Sequence, residues 1–231
     1  MVFFDAGETL LRAEPSFPEL AAKVIRSRGH QAGSDDVIRT SRELGSHFRR
    51  AADEGRTFSA SADESKAFWT AFYTDMLGHL GIDDPEAPEV LFQTFSNPDN
   101  YGLFDDVLPA LDQLQAAGLR LGIISNFEGW LEGLLRRLGI LNRFDVVAIS
   151  GPLAVEKPDP RIFKWAVEQA GVSADRCVHV GDQPYFDAEA ATACGLHGVL
   201  LDRYGRWPDV REFPVIPTLR ELPTVAARLG A

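Results

Sequence analysis

Hydrophobic and polar residues alternate differently in two parts of the chain. An apolar run over residues 1–4 opens it, and four more runs lie at 119–124, 144–149, 177–180 and 198–201. Segments with helical spacing separate these later runs. Repeated strand–helix units of this length predict a parallel sheet covered by helices on both faces. The pattern therefore predicts an α/β core whose first strand is distant in sequence from its partners.

Residues between the first run and about residue 97 have helical spacing instead. Ser16 with Glu19, and Ser61 with Glu64, match the capping box found at helix N-termini. We predict a helix at each of these sites and a further helix over 35–54. The helix after Ser61 has one continuous apolar face, which is typical of a helix packed into a core.

The helical segment interrupts the α/β pattern after its first strand. Residues 96–102 are rich in residues typical of turns, and they indicate a linker. We therefore predict a Rossmann-like parallel-sheet core formed by residues 1–13 and 98–231. The inserted α-helical segment, 14–97, leaves the sheet at its carboxyl edge, and we predict that it forms a cap.

Polar residues follow four of the predicted strands. Asp5 follows the first, Ser125 and Asn126 follow the second, Lys157 lies in the loop after the third, and Asp182 follows the fourth. Parallel strands bring their carboxyl ends to one edge of a sheet. Each residue taken singly also fits an ordinary role as a helix cap or an exposed loop charge. Their joint position favours a shared functional site.

These residue types suit phosphoryl transfer. Mg²⁺ prefers a few carboxylates together with waters and substrate phosphate, and Asp5 and Asp182 supply carboxylates. Asp5 is also placed to attack phosphorus and form an aspartyl-phosphate. Lys157 and the Ser125 hydroxyl suit the binding of phosphoryl oxygens. We predict Asp5, Ser125 and Lys157 as catalytic residues, with Asn126 beside Ser125 and Lys157 in the substrate site.

Composition excludes several classes of function. A net charge of −11 argues against binding to nucleic acid or an anionic membrane, although a metal ion and a lysine still permit a small anionic substrate. Cys177 and Cys194 are too few for a disulfide framework or a four-ligand metal site. No apolar run is long enough to span a bilayer, and no signal peptide is recognisable, so we expect a cytoplasmic protein.

Four ordered motifs resemble those of the haloacid dehalogenase-like hydrolase superfamily, in the branch with a helical cap between motifs one and two. They are Phe4-Asp5-Ala6-Gly7-Glu8-Thr9-Leu10, Ile123-Ile124-Ser125-Asn126, Glu156-Lys157-Pro158-Asp159-Pro160 and Val180-Gly181-Asp182-Gln183-Pro184-Tyr185-Phe186-Asp187. The resemblance implies hydrolysis of a small phosphorylated molecule with Mg²⁺ as cofactor. It implies Asp5 as nucleophile and metal ligand, with the Gly7 carbonyl, Asp182 and Asp187 completing the metal site.

Gly7 departs from the family pattern. Phosphatases that this sequence resembles carry a second aspartate here, which protonates the leaving group and then activates water. Glycine cannot transfer a proton, and such a group typically contributes about 10²- to 10⁴-fold in rate. The adjacent Glu8 is a candidate replacement, but on an extended backbone its side chain would point elsewhere.

Three interpretations remain open. The first, which we adopt, is a Mg²⁺-dependent phosphatase of weak or specialised activity. The second is the same fold with changed chemistry: Asp182 with Asp187 argues against a dehalogenase, and a phosphonatase needs a cap lysine, for which only Lys23 and Lys66 are available. The third is a phosphate- or partner-binding protein without catalysis, and the retained motif residues argue against it.

Overall fold

A six-stranded sheet lies at the centre of one of two units of the chain. The structure, a computed structural model, describes residues 1–230. One unit comprises Met1–Leu11 with Leu103–Ala231, and the other comprises Arg12–Gly102. The predicted division at 13/14 and 97/98, and the role of the helical unit as a cap, stay predictions.

The strands are short and most of their residues are buried. They are β1 (Val2–Phe4), β2 (Leu11–Ala13), β3 (Tyr101–Leu103), β4 (Leu121–Ser125), β5 (Val146–Ile149), β6 (Val178–Gly181), β7 (His197–Leu201) and β8 (Val215–Ile216). Six of them form a parallel sheet in the order β5-β4-β1-β6-β7-β8, while β2 pairs with β3. This confirms the α/β class. Strands β2, β3 and β8 were not predicted, because each has only two or three residues and, unlike β1, none lies in an apolar run of four residues.

The register of the sheet determines where the strands end. Strand β1 lies between β4 and β6, and Phe4 is level with Ile123 on one side and Val180 on the other. Asp5, the residue after β1, therefore lies next to the carboxyl ends of both neighbouring strands. Apolar strands that are covered on both faces give the sheet its buried centre, with Val2, Phe3 and Phe4 fully buried.

Eleven α-helices are present among the described residues. They are α1 (Phe17–Ser27), α2 (Ser34–Glu43), α3 (Ser46–Asp53), α4 (Ala62–His79), α5 (Ala87–Phe95), α6 (Val107–Ala116), α7 (Leu131–Arg137), α8 (Ser150–Leu153), α9 (Pro160–Ala170), α10 (Ala190–Ala193) and α11 (Leu222–Leu229). The single helix predicted over 35–54 is wrong, since α2 and α3 are separate. Gly45, a poor helix former, lies between them. Within these described residues, no helix is both long and apolar enough to cross a membrane.

The helical unit has its own hydrophobic core. Helix α4 begins as predicted: the Ser61 hydroxyl accepts a hydrogen bond from the Glu64 backbone N–H at 3.2 Å. Its predicted apolar face contributes Phe72, Tyr73, Met76 and Leu77 to that core, and all four are buried. The unit therefore does not depend on the sheet for its hydrophobic interior.

Candidate active site

The carboxyl end of β1 places Asp5 at the middle of the sheet edge. The Asp5 backbone N–H continues the ladder to β6 by donating to the Val180 carbonyl at 2.9 Å. The chain then turns sharply, because the N–H groups of Leu10 and Leu11 both donate to the Ala6 carbonyl. This turn ends the strand and leaves Asp5 buried, with 7% of its surface exposed.

A buried lysine joins two of the predicted carboxylates. Lys157 Nζ lies 2.8 Å from Asp5 Oδ1 and 2.5 Å from Asp187 Oδ1. The Ser125 hydroxyl donates to the same Asp5 oxygen at 3.0 Å. The structure thus brings together Asp5, Ser125, Lys157 and Asp187, which lie on separate segments of the sequence.

Asn126 fixes the backbone of this lysine. The Lys157 N–H donates to Asn126 Oδ1 at 2.6 Å, and Asn126 Nδ2 donates to the Lys157 carbonyl at 2.8 Å. This pair of bonds ties the loop after β5 to the end of β4. Its contacts give Asn126 a role in positioning Lys157, and its predicted contact with substrate stays a prediction.

Three carboxylates converge at this edge and have only one lysine between them. Oxygen atoms of Asp5, Asp182 and Asp187 lie within 4.8 Å of one another. Burial and the neighbouring carboxylates raise the pKa of Asp182 well above its ordinary value. Hard oxygen donors with excess negative charge are what a divalent cation requires, so the residues present fit Mg²⁺.

The two carboxylates paired with Lys157 have pKa values that are shifted in opposite directions. Burial raises the pKa of Asp5, and the charge of Lys157 opposes this only in part. Burial also disfavours ionised Asp187, but the charge of Lys157 and a hydrogen bond from His179 outweigh it and lower the pKa of Asp187. Asp187 is therefore the firm anionic partner of the lysine.

Asp187 packs directly against the backbone of β6. A β-carbon on Gly181 would lie 2.1 Å from the carboxyl carbon of Asp187, so only glycine fits there. The Gln183 N–H donates to Asp187 Oδ2 at 3.0 Å. Asp182 thus supplies one carboxylate of the site, and Gly181 leaves the space that the Asp187 carboxylate occupies.

Glu8 does not have the extended backbone that the sequence argument assumed. Its φ is +54°, in the left-handed region, and its carboxylate accepts a hydrogen bond from the Tyr204 hydroxyl at 3.2 Å. The same side chain lines a cavity together with Asp182, Tyr204 and Arg206. Burial raises the pKa of Glu8, while burial and the nearby Glu8 carboxylate raise that of Tyr204 to about 12. The extended backbone expected at Glu8 was therefore wrong, and whether Glu8 replaces the second aspartate stays a prediction.

Gly7 lies inside the turn with space around it. A β-carbon at this position would meet no described atom within 4 Å, and its φ is not in the left-handed region. The glycine is therefore not required by the local backbone or by packing. The role of its carbonyl as a metal ligand stays a prediction.

Sequence reasoning missed the loop after β7, which is tied to this edge. Arg203 forms a fork with the Asp106 carboxylate at 2.8 and 2.9 Å and also donates to the Thr9 carbonyl. Trp207 Nε1 donates to the Asp182 carbonyl at 3.1 Å. Arg203 and its partners are 97 and 194 positions apart in the chain. Contacts over such distances leave no signal in a single sequence.

Comparison with known proteins agrees with this arrangement. The sequence model of the haloacid dehalogenase-like hydrolases matches residues 1–195. The chain belongs to this family of hydrolases. The zebrafish (Danio rerio) haloacid dehalogenase-like hydrolase domain-containing protein 3 is 32% identical over 99% of this chain and 95% of its own length.

Solved structures of both phosphatases and dehalogenases in the family are similar to this hydrolase. A HAD phosphatase from Thermococcus onnurineus is 27% identical, with a TM-score of 0.61, over 97% of this chain and 96% of its own. A 2-haloacid dehalogenase from Pseudomonas syringae pv. Tomato DC3000 is 26% identical, with a TM-score of 0.61, over 98% and 97%. Fold similarity therefore does not choose between the two reactions, and the site residues must.

Proposed function

We propose that this haloacid dehalogenase-like hydrolase is a Mg²⁺-dependent phosphatase that acts on a small phosphorylated molecule through an aspartyl-phosphate. One observation carries the proposal: oxygen atoms of three carboxylates, Asp5, Asp182 and Asp187, lie within 4.8 Å of one another, and the buried Lys157 pairs with Asp5 and Asp187. A carboxylate that attacks a carbon–halogen bond has no need of two further acidic groups. A cation-dependent reaction at phosphorus does.

The orientation of Asp5 supports its role as nucleophile. Lys157 and Ser125 both donate to Oδ1, which fixes the carboxylate. We propose that Oδ2, which neither of them contacts, is the oxygen that faces the substrate. Attack by Oδ2 on phosphorus forms the aspartyl-phosphate while the bond to the leaving-group oxygen breaks. Water then attacks the phosphorus, which releases inorganic phosphate and restores the Asp5 carboxylate.

The same donors stabilise the charge that develops on the phosphoryl group. We propose that the Lys157 ammonium and the Ser125 hydroxyl bind its oxygens, which suits a transition state with charge spread over those atoms. Asp5, Asp182, Asp187 and the Gly7 carbonyl would hold Mg²⁺, which when bound neutralises further charge on the phosphoryl oxygens. Because Gly7 carries no proton, the leaving group departs without a proton from this position. We therefore propose a preference for esters of acidic alcohols.

The test is hydrolysis of p-nitrophenyl phosphate, whose leaving group is a good one, with and without Mg²⁺. We expect metal-dependent turnover that Asp5→Asn abolishes and that the exposed control Asp209→Asn leaves unchanged. Asp182→Asn should remove the dependence on Mg²⁺ and most of the rate. Absence of turnover, together with metal-independent chloride release from 2-chloropropionate, would refute the proposal in favour of a dehalogenase.

A further inference from the structure

His179 is a buried polar residue at the centre of the sheet that the mechanism above does not use. It lies in β6 between Val178 and Val180, and its side chain is fully buried. The ring of Phe163 packs perpendicular to the imidazole at 5.4 Å between centroids. An apolar residue would suit this environment, so the imidazole calls for an explanation.

One ring nitrogen contacts the site and the other contacts nothing polar. His179 Nε2 lies 3.0 Å from Asp187 Oδ1, the oxygen that also accepts from Lys157. His179 Nδ1 has no hydrogen-bond partner among the described residues. An ionised carboxylate can only accept, so Nε2 must carry the hydrogen and Nδ1 must be bare in a neutral ring. A protonated ring would instead bury an unpaired N–H at Nδ1.

We propose that His179 is a positioning residue, which holds the Asp187 carboxylate in place and thereby keeps the Lys157 ammonium on Asp5. Three hydrogen bonds fix Asp187: His179 and Lys157 donate to Oδ1, and the Gln183 N–H donates to Oδ2. Without His179, the only donor left on Oδ1 is a lysine that Asp5 shares. The carboxylate is then free to turn about its bond to Gln183 and to draw the ammonium away from Asp5.

The surroundings of Asp187 support a positioning role. Gly181, two residues after His179 and on the same face of β6, leaves the space that the Asp187 carboxylate occupies. The strand thus provides both the room for the carboxylate and the donor that orients it.

The first test examines the protein without metal or substrate, and it does not depend on the proposed function. A long-range ¹H–¹⁵N spectrum of labelled protein at pH 7 should show one histidine with a protonated Nε2 and a bare Nδ1, which is lost in His179→Gln. The buried Lys157 ammonium should give a hydrogen-bonded ¹H–¹⁵N signal. A ring with its hydrogen at Nδ1 and a bare Nε2 would overturn the proposal, because it could not donate to Asp187.

Three variants separate positioning from filling of the core. In His179→Gln the amide nitrogen falls near the Nε2 position and can still donate to Asp187. In His179→Asn it falls near Nδ1 and cannot, and His179→Leu has no donor. We expect the Lys157 ammonium signal to shift in the Asn and Leu variants and to stay near its wild-type position in the Gln variant.

The functional readout rests on the proposed function. The two quantities measured are the Mg²⁺ affinity, by calorimetry with the metal alone, and kcat for p-nitrophenyl phosphate. We expect both to fall about 10- to 100-fold in the Asn and Leu variants. In the Gln variant both should stay within about threefold of wild type. Equal behaviour of Gln and Asn would overturn the positioning role, and this pair decides if the Leu variant does not fold. An inactive wild type with the expected ammonium signals would refute the phosphatase and support the positioning role.

Discussion

An aspartate at position 7, where the phosphatases that this sequence resembles carry one, should raise the proposed phosphatase activity of this hydrolase. The structure permits the substitution, because a β-carbon at Gly7 would meet no described atom within 4 Å and the backbone there is not left-handed. The β-carbon of Gly7→Asp should therefore be accommodated without local rearrangement of the backbone. The new carboxyl group would follow Asp5 by two positions, where the phosphatases that this sequence resembles carry their second aspartate.

The size of the gain depends on the leaving group. A positioned general acid contributes about 10²- to 10⁴-fold, which corresponds to about 3 to 5.5 kcal/mol of barrier. A simple alkyl phosphate, whose alkoxide leaves poorly without a proton, should gain in this range at pH 6–7. p-Nitrophenyl phosphate needs little protonation and should gain less than about tenfold.

The assay compares kcat/KM for these two esters in wild type, Gly7→Asp and Gly7→Ala. Gly7→Ala adds the same β-carbon without the carboxyl group, so it separates proton transfer from a change in backbone entropy. That entropy change should stabilise Gly7→Ala by about 0.4–1 kcal/mol, since the native backbone already accepts a side chain. Adding Asp5→Asn to Gly7→Asp should abolish the gain if the reaction proceeds through the same nucleophile.

Equal rates for Gly7→Asp and Gly7→Ala on the alkyl phosphate would refute this reasoning. That outcome would be expected if Glu8, which lines a cavity with Asp182, already acted as the proton donor. If Glu8 already transferred the proton, wild type would hydrolyse both esters at similar rates and Glu8→Gln would erase the alkyl phosphatase activity. We expect instead that Glu8→Gln changes p-nitrophenyl phosphate turnover by less than about threefold.

Other predictions concern buried charges in the unit that contains the six-stranded sheet. Lys157→Met leaves two buried carboxylates without their cation. It should lower the free energy of unfolding, measured in urea at pH 8 without metal, by about 3–5 kcal/mol. The exposed control Lys164→Met should change this free energy by less than about 0.5 kcal/mol. Arg203 and two further donors outweigh burial and lower the pKa of Asp106. A lowered pKa stabilises the fold above the unfolded value of about 3.9, so the loss in Asp106→Asn should be full at pH 7 and shrink as pH falls below about 4. A double-mutant cycle with Arg203→Met should give a coupling of at least about 1 kcal/mol, and additive effects would contradict the ion pair.

Much of the architecture was predictable because it depends on short-range patterns. Apolar runs separated by helical segments identified strands β1, β4, β5, β6 and β7 within one or two residues at most ends. The rule that parallel strands end at one edge then brought Asp5, Ser125, Lys157 and Asp182 together. Prediction failed where the signal was too short, as in β8, or where one glycine divides a helical pattern, as at Gly45.

Other features of the site could not be predicted, because they depend on contacts between distant segments. The left-handed backbone of Glu8 is unusual for a non-glycine residue, and no local residue preference indicates it. His179 lies within a predicted strand, and the sequence alone does not distinguish a histidine with a role in the site from one that only fills the core. Its meaning appears only when Asp187, on the following segment, is found at 3.0 Å from its ring.

The charged and polar residues that are buried, contrary to what a sequence pattern predicts, lie together in one cluster, and this has a physical reason. A single sequence predicts buried positions well when they are apolar, because burial of apolar surface is the dominant favourable term in folding. Asp5, Lys157, His179 and Asp187 are buried against that preference. Buried charged groups commonly contribute little or negative net stability once desolvation is counted. Stability therefore does not explain their retention in one cluster. Under the proposed phosphatase function, preorganised charge at the end of the central strand does, since a transition state with spread negative charge gains most from donors already fixed in a dry site.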